Sequence, residues 1–371
     1  MKSRYFLVLV GTAGLIASFL LFDSNEEGVP STSEPKDNTG NSDLKVLTIP
    51  QENEKEPISD HQPDSDSLAK SADTESSNLE ELLQPVQLSP AKASAWLESK
   101  SGDPMLYLEA SAMAAMINKD AELLRNAVEK GRENPKLAYL GATDPVFTSE
   151  EQLRYSKQFY LNAPENGLAG FLYAAKLFDS GDLPGAIKIL EESKESHLLD
   201  DYSLDRQLLM EDAFLASGIA PNAAKLKATF ASTKQHLSDI LVFTRELDGF
   251  ADASPSNESS NLRSLTASMG ARIRKSADAG MIMDQLIGLE IERRTLDGLG
   301  DSDASPYESM SVSEAREAIK LKKAEISTTL QKADLETFIA KRPDLLGEFV
   351  DKLREVGELE ALKWIQQTSE P

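Results

Sequence analysis

From Leu82 onward, Leu, Ala, Met and Phe recur at three- and four-residue intervals, and runs of alternating β-branched residues are almost absent. Those intervals return a side chain to the same face of a 3.6-residue turn, so a buried face can be made only by helices packing on helices. The expected fold class is therefore all-α. Local signals place some of the helix starts. Asp103-Pro104 supplies an N-cap and a first-turn proline, Ser311 with Glu314 forms a capping box, and Arg342-Pro343 marks another beginning. The 40% hydrophobic content of the 371 residues suffices for a substantial core because the apolar residues are concentrated.

Residues before Leu82 have a different character. Residues 5–22, YFLVLVGTAGLIASFLLF, carry no charge and follow Lys2 and Arg4. As a helix they would span roughly 27 Å, close to the hydrocarbon thickness of a bilayer. The best cleavage site, Gly11-Thr12-Ala13, would leave an apolar stretch of only about six residues, so the segment is read as an uncleaved anchor rather than a signal peptide. Basic residues ahead of it favour a cytoplasmic N-terminus and an extracytoplasmic remainder, periplasmic in a Gram-negative-type bacterium. Residues 23–80 hold 15 acidic and four basic side chains, five prolines and no aromatic residue. Such a composition cannot bury enough surface to offset the entropy of ordering, and it reads as a disordered tether extended by charge repulsion. The expected organisation is an anchor or signal sequence at 1–22, a linker at 23–80, a helical repeat region at 81–247 and a C-terminal helical region at 248–371.

Residues 164–190, PENGLAGFLYAAKLFDSGDLPGAIKIL, read as one helical hairpin. Leu168, Phe171, Leu172, Ala175 and Leu177 line a first helix, and Gly181-Asp182 breaks it. Ala186, Ile187, Ile189 and Leu190 begin the return. Ala174 and Ala186 are small where the two helices must approach. The motif Ser180-Gly181-x-x-Pro184-x-Ala186 recurs 37 residues later as Ser217-Gly218-x-x-Pro221-x-Ala223. Gly357 with Glu358, Leu359, Glu360, Ala361 and Leu362 suggests a third turn, and Asn118-Lys119-Asp120 a fourth, between LYLEASAMAAM and AELLRNAV. Breaks are expected at 248–261 and 297–309, with one long helix between them carrying Leu262, Leu265, Met269, Ile273, Leu286 and Leu289.

The 164–190 hairpin resembles the tetratricopeptide repeat, whose 34-residue unit ends in proline. In that register Pro164 closes the preceding unit, and Ala174 and Ala186 take the small positions of the two helices. Leu177 replaces the usual tyrosine and Leu190 the usual large aromatic. The sequence departs from the pattern at Gly170, in the place of the tryptophan, at Ser193, in the place of the third alanine, and at Leu198, in the place of the closing proline. The resemblance implies antiparallel helical hairpins, arranged as an α-solenoid or a helical bundle.

Chemistry is sparse. The chain lacks cysteine, which removes disulfides, thiolate metal sites and lipidated cysteine, and its three histidines, His61, His197 and His236, are too scattered for a metal cluster. The loop from Asp297 to Glu308 has acidic residues at calcium-loop positions, but Leu299 and Ser302 stand where an oxygen ligand and a glycine are required. Basic groups at Arg272, Arg274 and Lys275, at Arg293-Arg294, and at Lys320, Lys322 and Lys323 are read as helix faces pairing with nearby Glu, because residues 81–371 hold 47 acidic against 33 basic side chains. That balance opposes nucleic-acid binding. No catalytic, cofactor-binding or metal residue is assigned. The expected function is a monomeric, non-enzymatic, membrane-tethered scaffold that docks a partner protein or peptide. The alternatives are a structural stalk or assembly subunit of the cell envelope, or an envelope enzyme using carboxylates.

Overall fold

In a computed structural model, residues 84–369 are described except 197, 232, 233, 235, 277–279 and 308, and they belong to one compact unit. The expected anchor and tether lie outside the described residues. No helix among the described residues is long and apolar enough to cross a membrane.

The described chain is all-helical. In order, α1 is Pro90–Lys100, α2 Pro104–Asn118, α3 Ala121–Lys130, α4 Pro135–Thr143, α5 Ser149–Asn162, α6 Gly167–Asp179, α7 Leu183–Ser193 and α8 Ser203–Ala216. They are followed by α9 Pro221–Ala231, α10 His236–Ala253, α11 Ser256–Ser276, α12 Ile282–Asp297, α13 Val312–Lys332, α14 Leu335–Lys341, α15 Leu346–Val356 and α16 Glu358–Ser369. The expected starts are present. The Asp103 carboxylate accepts from the first-turn amides of α2, and Ser311 and Glu314 cap α13 reciprocally. Arg342-Pro343 opens a single 3₁₀ turn, Pro343–Leu345, that leads into α15.

Successive helices pack as hairpins: α2 with α3, α4 with α5, α6 with α7, α8 with α9, α11 with α12 and α15 with α16. A linear stack would bring each hairpin against its neighbours only. Here α8 also packs on α1 and α2, α10 packs on α6, and α9 packs on α15, so contacts cross position 248.

The repeated motif produces a repeated backbone. Gly181 and Gly218 adopt φ of +88° and +87°. Gly181 N–H donates to the Phe178 carbonyl at 2.8 Å and Asp182 N–H to that of Leu177 at 2.9 Å. The corresponding bonds 37 residues on are Gly218 to Leu215 at 2.9 Å and Ile219 to Phe214 at 3.1 Å. Ser180 and Ser217 hydroxyls each return to the carbonyl three residues earlier at 2.7 Å. This is a Schellman-type close, which satisfies the last carbonyls of a helix and requires a left-handed residue. Gly357, at φ +84°, and Lys119, at φ +57°, make the other two expected turns.

Ala174 and Ala186 are fully buried in the α6–α7 hairpin. The departures at Gly170 and Ser193 compensate each other, because a β-carbon on Gly170 would collide with the Ser193 hydroxyl, itself buried and bonded to the Ile189 carbonyl.

One expectation fails. The region from Leu262 to Leu289 is two helices, α11 and α12, folded back on each other rather than one long helix. The crossing is built on glycines: a β-carbon on Gly288 would stand 2.6 Å from the Gly270 carbonyl, and one on Gly270 2.9 Å from that of Gly288. Apolar spacing is the same in a continuous helix and in two halves of a hairpin, so it could not reveal the fold-back. The expected break at 248–261 is also shorter than anticipated, since α10 continues to Ala253 and α11 starts at Ser256.

Candidate functional site

Two places in the molecule stand out: a buried charge cluster and an uncovered helix face. The cluster gathers where four helices begin. Asp201 lies just before α8, Lys234 just before α10, Asp284 in the first turn of α12, and Glu358 opens α16. Lys234 Nζ is 2.5 Å from Asp284 Oδ2 and 3.4 Å from Asp201 Oδ2. Glu358 Oε2 accepts the Ile282 amide at 2.8 Å, so the first residue of α16 caps α12. Helix N-termini carry partial positive charge, which favours carboxylates held there.

Burial and charge pull these groups apart. Burial opposes the charge on Asp201, but Lys234 and Arg206 outweigh it and hold the carboxyl far below its usual range. Asp284 and Glu358 are pushed up by burial, against the opposing pull of Lys234 and of the Ile282 amide respectively. Burial also lowers Lys234, yet its two aspartates raise it overall. The lysine opposes burial at both carboxyls, and it prevails at Asp201 but not at Asp284.

Aromatic groups close the other side. The Tyr139 hydroxyl lies 2.8 Å from His236 Nδ1, and the Arg206 guanidinium sits 4.9 Å from the Tyr139 ring centre while donating to the Asp201 carbonyl at 2.6 Å. Burial lowers the His236 imidazole to about 3, so it is neutral, and raises the Tyr139 phenol to about 12. Between Asp201 and α8, Tyr202 is held at φ +53°, an uncommon conformation for a residue with a side chain. The groups lie in or at the edge of the interior and pair chiefly with one another, although Asp284 Oδ1 has no hydrogen-bond partner among the described residues. The arrangement clamps the N-terminal ends of α8, α10, α12 and α16 together, and breaking one member of such a set leaves uncompensated charge.

Most of the remaining sequence candidates have partners in the fold, while Lys275 and Lys320 are exposed. Among the described residues no three His, Cys, Asp or Glu side chains are grouped so as to hold a metal ion. In the Asp297–Glu308 loop, the Arg316 guanidinium binds Asp301 at 2.7 Å and the Leu296 and Leu299 carbonyls at 2.8 and 2.5 Å, while Asp303 closes a turn on the Gly300 amide. Arg274 pairs with Glu292, Arg293 with Glu290 and Asp297, Arg294 with Asp248, and Lys322 and Lys323 with Glu325 and Glu290. Arg272 differs from the expected surface pairing. It donates to the carbonyls of Ser193, the last residue of α7, and of Ser196 just beyond, and stacks over Phe171. His61 and His197 lie outside the described residues.

The uncovered face belongs to α8. Leu204, Leu208 and Leu215 are 47%, 49% and 41% exposed. At about 100° per residue they fall within roughly 40° of one another, a single apolar stripe. Glu211 lies on the same stripe and pairs at 2.6 Å with Arg354, reaching across from α15; Arg354 Nε and Nη2 are buried and find no acceptor among the described residues. The opposite border is held by Asp212, bonded to Trp96 Nε1 at 2.7 Å and Lys100 at 2.6 Å, and by Asp205, paired with Lys136 at 2.9 Å.

The repeated turn gives this face its meaning. Moving back 37 residues from Leu204, Leu208, Glu211 and Leu215 reaches Gly167, Phe171, Ala174 and Phe178 on α6. There the same face is covered. Arg272 lies over Gly167 and Phe171, and Phe178 packs against Phe243 and Phe250 of α10 at 5.5 and 5.7 Å between ring centres. No family model matches the chain, nor does any curated protein or solved structure.

Proposed function

We propose that the chain is a membrane-tethered scaffold of tetratricopeptide-like antiparallel helical hairpins that docks a partner protein or peptide, and that the leucine face of α8 is the docking surface. The observation that carries this reading is the contrast between two faces at the same repeat position. On α6 the face is sealed by α10 and Arg272, and on α8 it holds three leucines about half in solvent. Scattered exposed leucines are ordinary, whereas three on one stripe at a position built for burial mark a place for another element. Extracytoplasmic placement rests on the uncharged residues 5–22 behind Lys2 and Arg4, and reach on the acidic linker 23–80.

A photo-crosslinking residue placed at Leu208 in the full chain, in its native membrane, tests the docking face. One discrete covalent adduct with a second protein is expected there and not at Lys188, an exposed position on α7. Equal labelling at both sites, or none, overturns the reading. Protease added outside the membrane is expected to cut between residues 23 and 80 and release a soluble helical fragment, whereas a mature protein beginning near Gly14 and free in solution rules out the anchor.

A further inference from the structure

We propose that the outer face of α10, where Val242, Glu246 and Phe250 stand beside the end of α6, docks a lysine or arginine side chain of a partner peptide together with an adjoining apolar residue. This surface is built from other residues than the α8 stripe and stands or falls without it.

The apolar half belongs to α10. Val242 and Phe250 are 48% and 41% exposed, and at eight residues apart they lie within roughly 80° of each other on the helix. Glu246 and Ala253, both exposed, fall between them, so nothing bulky covers the face. Phe250 is fixed in place, because its ring meets that of Phe178 edge-on at 5.7 Å and 81°. An exposed aromatic ring attracts a cation brought within about 6 Å of its centre.

The acidic half joins the two helices. Burial, and then the charges of Asp239 and Glu246, raise the carboxyl of Asp179, the last residue of α6, against the pull of Lys176. Lys176 is itself buried and bonded to Asp239 at 2.8 Å. Asp179 and Glu246 are exposed and form no ion pair among the described residues. Three carboxylates against one ammonium thus leave two negative charges uncompensated, and the C-terminal end of α6 adds its partial negative charge. Arg245 does not redress the balance. It is one residue before Glu246, about 100° round the helix, and lies near Arg294 of α12.

These halves select the occupant by its chemistry. A phosphate-bearing ligand is repelled by the carboxylates, and a purely apolar segment would cover Asp179 and Glu246 without pairing them. A lysine or arginine side chain answers both halves, since its charged head reaches the two free carboxylates while its methylene stem lies on Phe250. An apolar residue next to it in the partner then covers Val242.

Fluorescence anisotropy on the full chain in detergent tests this with two labelled peptides, acetyl-Ala-Leu-Lys-Leu-Ala-Lys-Ala amide and the same peptide with norleucine in place of lysine. The lysine peptide is expected to bind at least about tenfold more tightly than the norleucine peptide. The double variant Asp179→Asn with Glu246→Gln should weaken it about tenfold, and Phe250→Ala about threefold. Should Phe250→Ala disturb the contact with Phe178, Val242→Asn reads the apolar half without touching that pair and should also cost about threefold. Glu336→Gln, at an exposed position on α14, should leave binding unchanged. Absence of binding, equal binding of the two peptides, or a loss matched by Glu336→Gln overturns the proposal. Self-association of the parent that the double variant abolishes overturns it in favour of a second copy on the face.

Discussion

The α6–α7 and α8–α9 hairpins share a turn and differ in almost everything attached to it. Both first helices close on a positive-φ glycine with the same set of carbonyl bonds, and the motif that makes the turn is visible 37 residues apart. Their starts are unlike. α6 is capped by Asn166, which accepts the Leu168 amide and also exchanges two hydrogen bonds with the Asp200 backbone. α8 has no side-chain cap, begins on left-handed Tyr202, and is fastened instead through Asp201 to Lys234 and the buried cluster. Their faces differ too, one sealed and one open. Turn chemistry is local and is copied with the motif, whereas the environment of a helix is set by whatever packs on it.

The largest effects should separate the two faces. Phe171→Ala removes a fully packed ring and is expected to cost about 3–5 kcal/mol in urea unfolding, whereas Leu208→Ala at the equivalent position should stay within about 0.5 kcal/mol. Similar losses would mean that the α8 face is not open. At the foot of α8, Lys234→Met leaves Asp201 and Asp284 without their shared cation and should cost about 3–5 kcal/mol. At the foot of α6, Asn166→Ala should cost about 1–2 kcal/mol, as lost caps do.

The same foot predicts a pH dependence. His236 is neutral in the fold and titrates near 3, against 6.5 for an ordinary imidazole. Its contribution is present above about pH 6.5 and is lost as pH falls towards 3, because the unfolded chain takes up the proton first. The stability difference between the parent and His236→Gln should therefore shrink steadily over that interval; a difference independent of pH would place the imidazole in water.

Smaller effects test the crossing and the turn. Ala174→Leu and Ala186→Leu insert carbon into a fully buried crossing and are expected to cost about 1–3 kcal/mol, while Lys188→Ala, at an exposed position, should stay within about 0.5 kcal/mol. Asp182→Ala removes the cap of α7, whose carboxylate accepts the Gly185 amide at 2.9 Å, and should cost about 1 kcal/mol. Neutral alanine replacements would refute the hairpin register. Gly181→Ala and Gly218→Ala should each cost about 1–2 kcal/mol, and nearly equally, because both force a side chain into the left-handed region. Markedly unequal losses would show that the two turns only look alike.

Much of the secondary structure was readable because its signals are local. Asp103-Pro104, Ser311 with Glu314, and the glycines at 181, 218 and 357 each act on amides or carbonyls within a few residues, so composition near the helix end suffices. The fold-back of α11 on α12 was not readable, since Gly270 and Gly288 have meaning only when their backbones are brought together. The charge cluster was equally hidden. Asp201, Lys234, Asp284 and Glu358 are ordinary polar residues at helix starts, where acidic side chains are common for dipole reasons, and nothing adjacent in sequence marks these four as converging.

Sequence alone determined the all-helical class, the positions of the main turns and the repetition of one of them, because periodicity, caps and left-handed glycines are properties of a few consecutive residues. Tertiary structure alone decided which of the two repeated faces is covered, where Arg272 is spent, and which carboxylates share a lysine. Those outcomes depend on helices distant along the chain: α10 against α6, Arg272 of α11 on the end of α7, α12 against α10, and α16 on the start of α12. Burial and charge pairing are set by such long-range neighbours, and a residue's own sequence context does not carry them.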